Sequence, residues 1–235
     1  MTDRTLTDET LIEPGDAIRP GDPPTVHRYS PATRLNHWIT AVTMILLILS
    51  GLGLYHPALF FLTSLFGGGQ LARAIHPWLG VVLVLSFSLL FARFWRGNLW
   101  RPEEGDWVAH MGDLVAGREE KMPAIGKYNA GQKFVFWSLA LLILGMFVTG
   151  MLFWQAYFAG RVPIPLQRVA IIVHSVFAVF VILVIILHVY SAIWVRGSFD
   201  AMIKGHVSAG WAFRHHRKWF RRLVEQSQGG SRRAT

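Results

Sequence analysis

The sequence predicts an all-α membrane protein, a bundle of four transmembrane helices with both termini cytoplasmic, and three observations carry that prediction. Hydrophobic residues fill 52% of the 235 positions and charged residues only 16%. With a mean hydropathy of +0.37, the chain is too apolar for an ordinary water-soluble domain. Four stretches, 35–72, 74–92, 134–160 and 169–195, contain no acidic or basic residue. Finally, 20 of the 23 lysines and arginines fall on alternate connections, the asymmetry that orients spans with their basic flanks inside.

Taken in order, residues 1–27 mix Asp, Thr, Pro and Gly without periodicity and read as a disordered N-terminal extension. Met1 to Thr25 also lacks the basic start and apolar core of a signal peptide, so a cytoplasmic start is expected. Spans are expected at 37–55, 76–95, 133–155 and 168–195, each near the roughly 20 apolar residues that a helix needs to cross hydrocarbon. Four buried helices of a soluble bundle would need polar faces at helical spacing. Ile39 to Leu49 and Ile171 to Leu187 have almost none. Gly67, Gly68 and Gly69 read as a flexible turn. The transmembrane domain therefore covers 28–198, and 199–235 forms a basic cytoplasmic segment. Within that segment Phe199 to Val224 alternates apolar and basic positions, as an amphipathic helix at a membrane surface would, and Ser227 to Thr235 reads as a frayed tail.

The basic residues lie before the first span, between Arg93 and Lys133, and after the fourth span; the other connections hold only Arg73, Arg161 and Arg168. All 14 acidic residues share the basic side. A pI of about 10.5 thus needs no nucleic acid to explain it, because anionic lipid and a partner subunit suffice. The 10 tryptophans and 16 phenylalanines fit aromatic side chains gathered at bilayer interfaces and between packed spans. There is no cysteine, which excludes disulfides, thiolate zinc sites, c-type haem attachment and Cys-ligated iron–sulfur clusters. No phosphate-binding glycine loop and no Ser/His/Asp arrangement is visible.

Ten histidines are present, and four of them, His37, His76, His174 and His188, lie in or at the ends of spans, where an ionisable group is costly and marks function. Any one alone could equally be a packed imidazole bonded to a neighbouring helix. As a set they say more. His174 and His188 are 14 residues apart, so they share a face of the fourth span about 21 Å apart along its axis. Depth then pairs His37 with His188 near the cytoplasm and His76 with His174 near the far surface. Two bis-imidazole sites stacked across a bundle suit two haems b, whereas zinc or copper would want three or four ligands per site. With both axial positions filled, electron transfer is favoured over oxygen chemistry. His27, His110, His206, His215 and His216 read as solvated or interfacial side chains, as does His56, although its depth also suits a propionate partner of the outer haem.

The strings Asn36-His37-Trp38, Ile75-His76-Pro77, Gly126-Lys127-Tyr128-Asn129-Ala130-Gly131-Gln132-Lys133, Val173-His174, Leu187-His188-Val189-Tyr190 and Trp194-Val195-Arg196-Gly197-Ser198 closely resemble the cytochrome b (gamma) subunit of respiratory membrane-bound formate dehydrogenase. The resemblance runs from about Arg28 to Glu225, and the eight-residue string from Gly126 is its most specific part. It implies a four-helix subunit of the bacterial inner membrane with His37 and His188 ligating the inner haem b and His76 and His174 the outer one. It also implies a quinone pocket, for menaquinone or ubiquinone, in which Asn129 and Gly131 match the binding loop. An alternative remains in which Asn129 merely caps the third span. The acidic extension before Arg28 is longer than the family pattern.

The chain has no catalytic group that could oxidise a substrate, so two haems would act as a relay between a donor protein and a membrane carrier. The resemblance supplies the donor: an iron–sulfur (beta) subunit fed by a molybdenum- or tungsten-containing catalytic (alpha) subunit that oxidises formate, with room for a higher oligomer of the complex. Electrons would reach quinone with proton uptake from the cytoplasm. The rival readings are a di-haem subunit of a hydrogenase or other molybdoenzyme, a reductase working alone, and a haem-free transporter or scaffold.

Overall fold

The computed structural model describes residues 12–233, which are mostly helical and divide into two compact units. The bundle unit comprises 35–92 and 138–189, and the polar unit comprises the described parts of 1–34, 93–137 and 190–235. Four helices are long and apolar enough to cross a membrane: α1 (Pro31–Tyr55), α2 (Gly69–Phe94), α5 (Ala130–Leu152) and α6 (Ile164–Trp194). Their N-terminal limits run three to seven residues beyond the expected ones, and their C-terminal limits fall at the expected ones or up to three residues short of them. Ser30 Oγ accepts the Thr33 N–H at 3.3 Å ahead of Pro31, and Pro at the first helical position gives up no bond. Between α1 and α2 a 3-10 helix, Pro57–Phe66, ends at Gly67 and Gly68, whose φ angles of 83° and 103° require glycine.

All four spans contribute to one apolar layer in the bundle unit. Met44, Leu83, Ile143 and Val181 are buried there, with Leu47, Phe87, Leu139 and Ile185 packed around them. Outward, only 11–22% of the most apolar window of each span is buried, and the remaining apolar surface is a face for lipid or a partner rather than for water.

The polar unit departs from expectation in three places. The disordered extension expected over 1–27 is structured over its described part: β1 (Ala17–Arg19) and β2 (Thr25–His27) pair antiparallel, and β2 pairs antiparallel with β3 (His206–Ser208). The register sets Val26 against Val207, both buried; residues 1–11 lie outside the described residues. In place of one amphipathic helix, Phe199 to Val224 is broken into α7 (Ser198–Ile203), β3, α8 (Ala209–His215) and the start of α9 (Arg217–Arg233). Its apolar positions Ala212, Trp219 and Leu223 are buried inside the unit. The break occurs at Gly205, whose φ is +82° and at which a Cβ would stand 2.7 Å from the Tyr29 carbonyl oxygen. The tail from Ser227 continues α9 as far as Arg233, and the last two residues lie outside the described ones. Two short helices, α3 (Pro102–Ala109) and α4 (Met111–Val115), complete the unit.

Candidate functional site

The four span histidines meet in the two pairs that depth alone suggests. In the bundle unit the rings of His37 and His188 have centroids 6.3 Å apart, and those of His76 and His174 6.4 Å apart. The pairs lie toward opposite ends of α6, with Val181 of the apolar layer seven residues from each of its histidines. Pro77 follows His76 inside α2 and leaves one helical hydrogen bond unmade beside the pair.

Each ring of the His76–His174 pair is held from behind by a hydroxyl. His76 Nδ1 lies 2.7 Å from Ser50 Oγ, and His174 Nδ1 lies 3.0 Å from Thr149 Oγ1. The next residue in each case is glycine, and a Cβ there would stand 3.4 Å from His76 Cε1 or 3.3 Å from His174 Cε1. Sequence reasoning missed these two hydroxyls. The signal was a Ser-Gly and a Thr-Gly dipeptide, Ser50-Gly51 and Thr149-Gly150, recurring in the first and third spans.

These residues fit haem iron. With metal–imidazole bonds of about 2.0 Å, two rings ligating one metal from opposite sides have centroids about 6.3 Å apart, the observed spacing of both pairs. With Nδ1 held, Nε2 is the nitrogen of His76 and of His174 left to meet a metal. At the other pair His37 Nδ1 is buried without a hydrogen-bond partner. Among the described residues no group of three or more His, Cys, Asp or Glu could hold a metal ion. The donor set is thus two imidazoles per site, which a porphyrin completes and bare zinc does not.

Asn129 and Gly131 lie in the polar unit at the start of α5. Asn129 Oδ1 accepts the Gln132 N–H at 2.8 Å while Gln132 Oε1 accepts the Asn129 N–H at 2.9 Å, a reciprocal cap of the helix. The capping role weighed for Asn129 is therefore present, and its amide Nδ2 is not used by the cap. A Cβ at Gly131 would meet Asn129 Oδ1 at 3.4 Å and Trp107 Cη2 at 3.5 Å, ordinary contacts, so the chain itself does not demand glycine there.

The rest of the string from Gly126 is structural. Lys127 Nζ donates to Glu13 Oε2 at 3.0 Å, Asp16 Oδ1 at 2.7 Å and the Arg28 carbonyl at 3.2 Å. The hydroxyl of Tyr128 donates to Glu13 Oε1 at 2.7 Å, and Lys133 pairs with buried Glu104 at 2.5 Å. Burial, with the charges of Tyr29 and Glu13, pushes the Tyr128 phenol well above its ordinary range. His216 corrects the expectation of a solvated side chain. It is 1% exposed, its Nδ1 donates to the Gly126 carbonyl at 2.8 Å, and burial together with the charge of Arg28 pushes it well below the ordinary histidine range. His56 is an N-cap: its Nδ1 accepts the Ala58 N–H at 3.2 Å.

The profile of the prokaryotic cytochrome b561 family matches residues 28–205. Among curated proteins, the formate dehydrogenase cytochrome b556(fdo) subunit of Escherichia coli K12 is 40% identical over 204 residues, covering 87% of this chain and 96% of that one. The nitrate-inducible formate dehydrogenase cytochrome b556(Fdn) subunit of the same organism is 36% identical over 190 residues, 81% of this chain and 88% of its own. A formate dehydrogenase cytochrome b556 subunit of Haemophilus influenzae is 35% identical over 199 residues, 84% of this chain and 83% of its own.

Proposed function

The chain belongs to the prokaryotic cytochrome b561 family, and from that premise we propose that it is the di-haem b membrane subunit of a formate dehydrogenase. In this role it carries electrons from a periplasmic iron–sulfur subunit, fed by a molybdenum- or tungsten-containing subunit, to quinone with proton uptake from the cytoplasm. The observation that carries the reading is the spacing of 6.3 and 6.4 Å within two imidazole pairs of one bundle. The names of the relatives, all formate dehydrogenase subunits, favour it over the hydrogenase alternative.

Within this reading His37 and His188 hold the inner group and His76 and His174 the outer one. When bound, haem b would supply a one-electron carrier, and the imidazoles of these four histidines would hold it. The Lys and Arg excess on the polar segments keeps both termini in the cytoplasm of the bacterial inner membrane. Asn129 offers its amide as a hydrogen-bond donor to a quinone carbonyl, and Gly131, with no side chain, lets a head group approach the backbone at the start of α5.

The test is purification of the intact complex. A reduced-minus-oxidised spectrum should give two haems b per chain, formate should reduce both, and mass spectrometry should find iron–sulfur and molybdenum or tungsten subunits with the chain. A preparation without b-type absorbance, or with a hydrogen-oxidising partner in their place, would overturn the assignment.

A further inference from the structure

The two imidazole pairs differ in what stands behind the rings. Ser50 is fully buried, and its hydroxyl donates to the Leu46 carbonyl one turn back at 2.8 Å. Thr149 does the same to the Gly145 carbonyl at 2.7 Å. A hydroxyl has one proton. With that proton committed to the helix backbone, the oxygen can only accept from the imidazole, so His76 and His174 each carry their proton on Nδ1 and present the Nε2 lone pair across the gap. The same relay, carbonyl to hydroxyl to imidazole, is thus built twice, from α1 to α2 and from α5 to α6.

Nothing equivalent serves His37. Its Nδ1 is buried without a partner, and the polar groups near it on α1 are engaged elsewhere. Asn36 Nδ2 donates to the Ser86 carbonyl at 3.0 Å, while the Thr40 hydroxyl bonds the Asn36 carbonyl at 2.9 Å and Ser86 Oγ at 3.0 Å. An imidazole whose distal N–H is hydrogen-bonded is a more basic ligand, and a more basic ligand favours the more positive, ferric state of iron.

We infer that Ser50 and Thr149 are positioning residues that make the haem held by His76 and His174 the lower-potential one of the two, so that transfer to the His37–His188 site is downhill. This rests on the di-haem reading above. In the step one electron leaves ferrous iron at the first site, which becomes ferric, and reduces ferric iron at the second; the Nδ1 protons stay on their rings. In the proposed orientation that transfer runs against the membrane potential, and the difference between the sites offsets it.

Redox titration of the purified holo-complex, following b-type absorbance, tests the inference. The wild type should resolve two components, and His76→Ala should retain only the higher. Ser50→Ala and the isosteric Thr149→Val should each raise the lower component, by on the order of a tenfold change in the ferric-to-ferrous ratio, which is about 59 mV for one electron. Thr149→Ser, which keeps the hydroxyl, should titrate like the wild type. Haem lost from Thr149→Val but kept in Thr149→Ser would also support a role for the hydroxyl. Unmoved potentials, a shift confined to the higher component, a lower component that falls, or haem lost from both Thr149 variants would overturn the inference. Fewer than two haems per wild-type chain would instead overturn the di-haem reading, before any potential is measured.

Discussion

In the bundle unit the buried layer is Met44, Leu83, Ile143 and Val181, one side chain from each span. The polar unit centres instead on Lys127, an ammonium 3% exposed and shared between Glu13 and Asp16, with the Arg28 guanidinium over the rings of Tyr29, Tyr128, Trp211 and Trp219. The first arrangement has little hydrophobic drive of its own, since lipid is as apolar as the core, and its specificity comes from packing and from the few polar groups between helices. The second buries charge, which is stable only while every partner is present. Polar groups are few in the bundle unit and include the two imidazole pairs, whereas the buried charges of the polar unit hold that unit together.

The largest effect expected from this contrast is loss of a cofactor. His76→Ala or His174→Ala should remove one haem and leave the other, while His37→Ala or His188→Ala should do the reverse, because the pairs share only α6 and are about 20 Å apart along it. Haem counts on the four purified variants check this. If His37→Ala and His76→Ala emptied the same site, the pairing would be wrong.

Next in size is the buried ion cluster. Lys127→Met strips Glu13 and Asp16 of their shared cation and should destabilise the polar unit by about 3–5 kcal/mol while leaving two haems in the bundle. Hydrogen exchange of the holo-complex reads both units at once. Unchanged protection around β1, β2 and α9 would show that the cluster is not what holds that unit.

The two units also differ in how far their parts were legible. Each span was visible as a charge-free run, and the histidine pairs followed from helix direction and depth, because in a four-helix bundle both reduce to counting residues along the chain. The β-ribbon was not legible: its strands are three residues long, and β2 finds β3 some 180 positions away, where period-two alternation has no room to register. His216 misled for a similar reason. Five lysines and arginines lie within six positions of it, which reads as solvated tail, yet its ring turns inward against Trp219 and the Gly126 carbonyl. The string from Gly126 was recognisable as a signature, but whether its residues bind a ligand or brace a fold is a matter of three-dimensional partners, and for Lys127, Tyr128 and Lys133 the answer is bracing.

A pH profile should separate the units by a smaller amount. His216 is held neutral by burial, with its folded pKa well below the ordinary value. The unfolded chain therefore takes up the extra proton, and stability of the polar unit should fall as pH drops below about 6.5, by at most about 1.4 kcal/mol per pH unit. Tyr128 acts at the other end: its folded pKa is raised, so its contribution is present below about 10 and lost as pH climbs above that. Exchange protection of α9 between pH 7 and 5 measures the acid limb, and His216→Gln, which keeps a donor for the Gly126 carbonyl, should flatten it. An equal slope in that variant would assign the acid sensitivity to other groups.

The smallest expected effect asks whether the polar unit has a share in function at all, and Asn129 is where that question is sharpest. Its Oδ1 caps α5 through the Gln132 N–H, so Asn129→Ala should cost about 1 kcal/mol of helix stability whatever else the residue does. That loss alone decides nothing about quinone. Asn129→Asp separates the roles, because Asp caps as well as Asn but has no amide to donate. If the amide bonds a quinone carbonyl, the Asp variant should keep wild-type stability, hold both haems and accept electrons from formate. Its reoxidation by quinone should slow by about fivefold, the worth of one hydrogen bond of about 1 kcal/mol. If capping is the whole role, Asn129→Asp should be reoxidised at the wild-type rate while Asn129→Ala is merely less stable. Stopped-flow reoxidation of the two variants, side by side with their exchange protection, distinguishes an Asn129 that only caps α5 from one that meets the electron acceptor.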